Sequence, residues 1–217
     1  MIKSAALLLS FAIVMTGAPR AQAAQAKPRL SQARPLSADD QALIDRAIAY
    51  LQTLDSAAGR FVQTDARGSV AQGSVALQRP GKARFDYDAP SRLLVVADGR
   101  AVSVLDRRLK TFSAYPERST PLGLFLADRI KLDGGIKITH VGRLSDGFSL
   151  TAEDAKRETR GSITLLFTGA PLRLAGWSLV DSRGATTRVQ LVDFVRTNSL
   201  DPQLFVLRDP RPPTRQR

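Results

Sequence analysis

The sequence predicts a mainly β protein with a few helices, in which short antiparallel strands follow one another along the chain. Apolar and polar side chains alternate over short stretches such as 74–79 and 83–88, which is the period of a strand. Turn signals separate these stretches, and Asp98-Gly99 between two apolar segments is the strongest of them. Only one long segment shows the apolar spacing of an amphipathic helix.

The composition excludes several kinds of protein. A chain of 217 residues with 43% hydrophobic residues suits one domain with a sizeable core. Because the sequence has no Cys, a thiol nucleophile, a thiolate metal site and a disulfide are all excluded. Its single histidine, His140, excludes a metal centre with several His ligands, and no G-x-S-x-G motif occurs. These observations exclude only part of the possible catalytic chemistry, and His140 or a pair of carboxylates could still serve a hydrolase.

The N-terminus has the pattern of a secretory signal peptide. Lys3 precedes an apolar run, Ala5–Met15, and small residues follow as far as Ala26. The run is shorter than the roughly 20 apolar residues that span a bilayer. We expect residues 1–23 to be removed, with the cut as late as residue 26, and the product to be a soluble exported protein.

The charge balance is strongly basic, with 32 Lys and Arg against 20 Asp and Glu and a formal net charge of +12. Cleavage after residue 23 would remove Lys3 and Arg20 and leave +10. The basic residues are scattered among acidic ones, and no basic run is interleaved with aromatic residues. We therefore expect no nucleic-acid partner.

Two helices are predicted. Ser37 is a suitable N-cap for a helix of about 18–20 residues that Gly59 can close. Thr120 and Pro121 favour the start of a second, short helix with an apolar stripe. The predicted organisation is a flexible N-terminus at 24–36, a single domain at 37–207 and a Pro- and Arg-rich tail at 208–217.

Ten or eleven short strands account for the rest of the domain. Two short helices cover little of such a sheet, so it either folds onto itself as a closed sandwich or curls around an apolar hollow. The residues alone do not decide between these two arrangements. Nine of the strands have a clear pattern, at about 74–79, 83–88, 93–97, 100–105, 109–115, 135–142, 147–153, 163–167 and 189–191, and turns at Thr168-Gly169 and Arg183-Gly184 separate the later strands.

Arg79 breaks the apolar pattern of its strand. By alternation it shares a face with Val75 and Leu77, where a guanidinium is unfavourable unless its donors find acceptors. Either its side chain extends to solvent beside Pro80, or it donates to carbonyls of a movable helix and holds that helix over the sheet. A hydrogen bond from a charged donor is worth about 1.5–3 kcal/mol, which can hold a lid and still release it.

One stretch of the sequence is similar to a known signature. Residues 73–90, with the sequence GSVALQRPGKARFDYDAP, resemble the signature of the periplasmic lipoprotein carriers of the LolA family. Phe61-Val62-Gln63 resembles the F-x-Q segment of that family. The resemblance extends from about residue 37 to residue 210. Weaker matches follow in the family's order at 97–100, 104–106, 120–122 and 200–205.

The resemblance implies an incomplete antiparallel β-barrel of about 11 strands, closed by a helical lid over an apolar cavity. Such a protein would bind the acyl chains of lipoproteins released by an inner-membrane ABC transporter. The resemblance therefore also implies no enzyme activity, no cofactor and no metal. It would carry them through the periplasm to an outer-membrane lipoprotein receptor or to the outer membrane itself. Arg79, followed by Pro80, corresponds to the arginine that latches the lid. The expected lining of the cavity is Phe61, Val75, Leu77, Phe85, Tyr87, Leu122, Phe125, Leu126 and Trp177.

The sequence departs from the family pattern at two places. Ala83 stands where members often have a large aromatic residue at the cavity mouth, and residues 205–210 differ from the usual ending. Three alternative interpretations remain open: a half-barrel module that senses lipoproteins or lipids in envelope stress signalling, a periplasmic hydrolase that uses His140 or a carboxylate pair, and a purely structural sandwich.

Overall fold

The computed structural model describes residues 36–117, 126, 136–154 and 161–210, which belong to one compact unit. The predicted signal peptide lies outside the described residues, as do most of the predicted second helix and the last seven residues. The described part contains eleven strands, as predicted. Its elements are helix α1 (Ala38–Gln52), strands β1 (Ser56–Thr64), β2 (Val70–Gln78), β3 (Lys82–Tyr87), β4 (Leu93–Asp98), β5 (Ala101–Asp106), β6 (Thr111–Pro116), β7 (Ile136–Leu144), β8 (Gly147–Asp154), β9 (Gly161–Thr168), β10 (Arg173–Asp181) and β11 (Thr186–Arg196), and a 3-10 helix (Pro202–Phe205).

Helix α1 begins where the sequence predicts and ends earlier. The Ser37 hydroxyl accepts a hydrogen bond from the Asp40 N–H, and the Asp40 carboxylate accepts one from the Ser37 N–H, which completes a capping box. The helix has 15 residues rather than 18–20 and has Thr53 as its C-cap. It stops there because the residues from Ser56 onward pair as a strand with β2.

Gly59 therefore does not close the helix, and that prediction is wrong. Gly59 lies within β1, at a bulge where Ala58 pairs with Val195 and Arg60 with Val192. A Cβ at Gly59 would lie 2.7 Å from the Phe194 Cα, so the close approach of β11 requires glycine at this position.

The eleven strands form one antiparallel sheet in the order β6-β5-β4-β3-β2-β1-β11-β10-β9-β8-β7. The first and last strands of the chain pair at its centre, and two meanders extend from them in opposite directions. The predicted turns at Pro80-Gly81 and Asp98-Gly99 connect β2 to β3 and β4 to β5. Strands β6 and β7 are the two edges and do not pair with each other, so the sheet is open rather than a closed barrel.

The sheet curls strongly. Strands β3 and β10 are four positions apart in the sheet, which would be about 19 Å across a flat sheet. Yet the rings of Phe85 on β3 and Trp177 on β10 are in edge-to-face contact, with centroids 5.9 Å apart. The inner side chains of both meanders thus meet in one apolar cluster, which also contains Ile44 and Leu51 of α1. A sheet curled in this way, with a helix against its inner face, differs from a closed sandwich.

A second apolar cluster covers part of the outer face, and the sequence did not indicate it. Phe205 of the 3-10 helix is buried against Ala76, Leu94 and Val96. The Arg84 side chain donates to the Leu204 carbonyl at 3.1 Å and fixes this segment on β3. Strand β4 is consequently buried on both faces.

Candidate functional site

The predicted cavity-lining residues gather on the inner face of the sheet. Leu122 and Phe125 lie outside the described residues. Tyr87 is half-buried and packs against the main apolar cluster. The other six are buried within that cluster: Phe61, Val75, Leu77, Phe85, Leu126 and Trp177. These residues form one continuous apolar surface, and their role in binding a ligand stays a prediction.

Four of these residues form a chain of edge-to-face aromatic contacts. Phe61 lies between Tyr87 and Phe85, with ring centroids 4.9 and 5.6 Å away, and Phe85 continues to Trp177. Such contacts add about 0.5–1.5 kcal/mol each beyond the burial of area. These contacts join β3 to β1 through Phe61 and β3 to β10 through Phe85, and they define the middle of the inner face.

The aromatic group contains one hydroxyl, that of Tyr87, and the side chain of Gln63 accepts its hydrogen bond. Tyr87 Oη donates to Gln63 Oε1 at 2.8 Å, and burial raises the pKa of Tyr87 to about 12. Phe61 and Gln63 are two residues apart on β1 and share a face. The F-x-Q segment thus supplies one aromatic ring to the group and the acceptor for another.

Helix α1 covers part of this face. Ile44, Ala47 and Leu51 are its buried residues and belong to the main cluster. Tyr50 meets Phe167 of β9 edge to face, with centroids 6.1 Å apart. Directed polar contacts at the two ends of the helix add to this apolar packing.

Arg79 supplies one of these polar contacts. It follows β2 and is half-buried, and its Nη1 donates to the main-chain carbonyl of Leu51 in the last turn of α1. Its backbone N–H donates to the Asp55 carbonyl at 2.7 Å. The guanidinium therefore lies at the negative end of the helix dipole, and α1 has no basic residue of its own in that turn.

The turn after Arg79 reaches a second helical residue. Pro80 is exposed at this turn, and the Gly81 N–H donates to the Leu126 carbonyl at 2.9 Å. Leu126 is helical and fully buried in the main cluster. One short turn, 79–81, is thus hydrogen-bonded to α1 and to the region of the predicted second helix.

The other end of α1 is tied by an ion pair. Arg143 of β7 donates to Asp40 at 2.8 Å. Hydrogen bonds from the Ser37 N–H and hydroxyl, and the one from Arg143, lower the pKa of Asp40 from 3.8 to about 2. The N-terminal end of α1 therefore contacts the edge strand β7, and its C-terminal end contacts Arg79, the residue that follows β2.

Comparison with known proteins decides the family. The model of the family described as outer membrane lipoprotein carrier protein LolA matches residues 52–208, which is well over half of the chain. The chain belongs to the LolA family. The resemblance of residues 73–90 to the family's signature is thereby confirmed.

Two relatives that are similar in sequence agree with this assignment. The chain is 32% identical over 149 residues to an outer-membrane lipoprotein carrier protein of Xylella fastidiosa, covering 64% of this chain and 70% of that one. It is 30% identical over 168 residues to such a protein of Legionella pneumophila, covering 74% and 81%. A LolA superfamily protein of Nitrosomonas europaea is a structural neighbour, with 12% identity, a TM-score of 0.47 and coverage of 77% and 97%.

Carriers of the LolA family bind and release their ligands and are not enzymes, so the prediction of a protein without enzyme activity is confirmed. In the described part of the chain, no helix is long and apolar enough to cross a membrane. Within the same residues, no group of three or more His, Asp and Glu side chains could hold a metal ion.

The structure gives the environment of Ala83, a position that the sequence already singles out, and shows two contacts that were not predicted from the sequence. Ala83 is fully buried and contributes little side chain where many LolA-family members are expected to carry an aromatic residue. The contacts of Gln63 with Tyr87 and of Arg143 with Asp40 join residues far apart in sequence. A polar residue at the inward position two places after Phe61 could have indicated that Gln63 has a polar partner on the inner face. Nothing in the sequence indicates the contact of Arg143, which is exposed on an edge strand.

Proposed function

We propose that this protein carries the acyl chains of lipoproteins through the periplasm from the inner to the outer membrane. The observation that supports this most directly is the apolar inner face of an open, curled sheet, covered by a helix held at its ends by a few polar contacts. Membership in a family of lipoprotein carriers supports the same role.

The covering helix is suited to exchange with an acyl chain. In the structure, α1 buries Ile44 and Leu51 against the sheet, and each such side chain contributes about 1.5–3 kcal/mol. An acyl chain that takes this place buries apolar area against the same side chains. Because the burial lost at α1 offsets part of the burial that the acyl chain gains, the polar contact of Arg79 with the Leu51 carbonyl influences which state is favoured.

A carrier is needed because acyl chains leave a membrane very slowly. One chain of about 14 methylenes is worth roughly 11 kcal/mol of apolar burial. The inner face of the sheet offers part of that burial in return. Cargo release then depends on a difference in affinity between this protein and the acceptor, and no chemical step by the carrier is required.

The proposed partners follow from this cycle. Acylated lipoproteins are the cargo, and an inner-membrane ABC transporter supplies the work of extracting them. A lipoprotein receptor, or the outer membrane itself, accepts them. In this cycle Arg79 is the latch, with Pro80 beside it, and the inner-face residues described above form the binding surface.

Recovery of the full chain from the periplasm of cells that express it with a C-terminal tag tests the proposal. Mass spectrometry of the recovered complex is expected to detect peptides that carry diacyl or triacyl groups. A captured lipoprotein whose acylated cysteine has been replaced serves as the matched control and should no longer co-purify. Recovery of a lipid-free protein, even after incubation with lipoprotein-loaded inner membranes and ATP, would contradict the proposal.

A further inference from the structure

A second arginine reaches the same end of α1. Arg196 is the last residue of β11, and its Nη2 donates to the hydroxyl of Thr53, the C-cap of α1. The Thr53 hydroxyl in turn donates to the Tyr50 carbonyl at 2.7 Å. The side chain of a distant strand is thereby linked to the last turn of the helix.

The bulge between β1 and β11 brings Arg196 to this position. Val189 and Leu191 face the inner cluster, and uninterrupted alternation would continue with residues 193 and 195. At the bulge, Gly59 is opposite two residues, Asp193 and Phe194, and one extra residue moves the following side chains to the other face. Accordingly Phe194 packs on the inner cluster, Val195 is 65% exposed, and Arg196 takes the inner side next to Ala57.

Both positive charges at this helix end come from other elements. The last turn of α1 contains no basic residue; Arg79 follows β2, and Arg196 ends β11. Cations near a helix C-terminus are stabilising within the last turn only. Charges carried by the helix itself would move with it and stabilise it in any position. Arg79 and Arg196 are attached to the sheet, so they stabilise α1 only while the helix lies against the sheet.

We propose that Arg196 is a second positioning residue for α1, which holds the C-terminal end of the helix through Thr53 and must release it before the helix can lift from the sheet. This rests on the proposed function, in which α1 gives way to acyl chains. Arg79 and Arg196 act from strands on opposite sides of β1, so the helix end is tied on two sides. Arg196 is the more exposed of the two, and water competes more readily for its donors.

Amide hydrogen exchange of the empty full chain tests this proposal, with the amides of residues 42–53 reporting on α1. Arg196→Gln is expected to lower the protection of these amides about fivefold, because a hydrogen bond from a charged donor is lost. Arg196→Lys, which keeps the charge and a donor, is expected to recover part of the protection. Arg188→Gln is the matched control, since Arg188 is exposed on the outer face of the same strand.

The partner of Arg196 provides a second measurement. Thr53→Val removes the hydroxyl and keeps the shape of the side chain, so it should lower the protection of α1 as well. Once Thr53 has been replaced, the further change Arg196→Gln should have little additional effect. Fully additive effects of the two changes would overturn the proposal, because the two side chains would then act separately.

Two other results would overturn the proposal. The first is an equal loss of amide protection in α1 from Arg196→Gln and from Arg188→Gln. The second is a loss from Arg196→Gln that is as large in the central strands as in α1, which would indicate a general loss of stability. Since these measurements use no cargo, they are independent of the proposed function. Failure of that function is recognised separately, by the absence of acylated peptides from the recovered protein.

Discussion

The residues that hold α1 in place are polar, few and well separated in sequence. Arg79 contacts the Leu51 carbonyl at one end, and Asp40 pairs with Arg143 at the other. The alternation of β2 predicts that Arg79 faces the apolar side, because Val75 and Leu77 precede it at two-residue steps. The same reasoning does not reveal which carbonyl accepts its hydrogen bond, since that depends on how the helix lies across the sheet.

Arg79→Leu is expected to leave the fold intact and cargo loading possible, and to impair transfer of cargo to acceptor membranes. The change removes a contact worth about 1.5–3 kcal/mol that favours the covered state, so the sheet would stay open around its ligand. Transfer of a purified lipoprotein from the loaded carrier to outer-membrane vesicles measures this directly. Arg188→Leu is the control on the outer face. Normal transfer by Arg79→Leu would exclude the latch.

The capping of α1 should depend on pH. The folded pKa of Asp40, about 2, lies below its ordinary value of 3.8. Its contribution to stability is therefore fully present above about pH 4 and is lost as the pH falls through about 2. We expect the wild type to melt at a higher temperature than Asp40→Asn at pH 5, with this difference disappearing towards pH 2. An equal difference in melting temperature at pH 5 and at pH 2 would contradict this assignment.

At the scale of elements, the strands are well predicted where one face is buried and the other is exposed. Strand β3 follows the alternating pattern closely. Strand β4 does not, because Leu94 and Val96 pack under the 3-10 helix while Leu93 and Ala97 are buried on the other side. Strand β1 was missed because a glycine at a bulge resembles the end of a helix in sequence. Both errors arise from partners more than a hundred residues away.

The C-terminal segment is expected to stabilise the outer face strongly. Phe205→Ala should lower the free energy of unfolding by about 3–5 kcal/mol, because it leaves a cavity between the 3-10 helix and strands β2 to β4. Chemical denaturation monitored by circular dichroism measures the change. Val206→Ala is the neighbouring control, since Val206 is 46% exposed. Equal losses from the two substitutions would mean that the segment does not pack as described.

For the molecule as a whole, the sequence predicts an apolar surface but does not decide between a curled sheet and a sandwich. That decision depends on contacts across the sheet, such as the one between Phe85 and Trp177. The sequence does not predict this contact, because the two residues belong to different meanders that are far apart along the chain. The resemblance of residues 73–90 to a known signature supplied the architecture that periodicity could not.

The single tryptophan of the chain provides a test of where cargo binds. Trp177 is buried within the aromatic group, and the whole sequence contains no other tryptophan. A lipopeptide with brominated acyl chains is expected to quench its fluorescence strongly, and the unbrominated lipopeptide should not. In a Trp177→Phe, Val195→Trp variant the fluorophore lies on the outer face and should escape quenching. Equal quenching at both positions would contradict binding at the inner face.

The first and last strands of the chain lie side by side at the centre of the sheet, where β1 pairs with β11. Each meander consists of hairpins between neighbouring segments, which can form early, whereas the central pairing closes a very long loop and is slow for that reason. Until residues 186–196 have been synthesised, the chain can form only two separate meanders. The apolar surface that spans β3 to β10 therefore forms last. A nascent or truncated chain that lacks residues 186–196 does not form this surface.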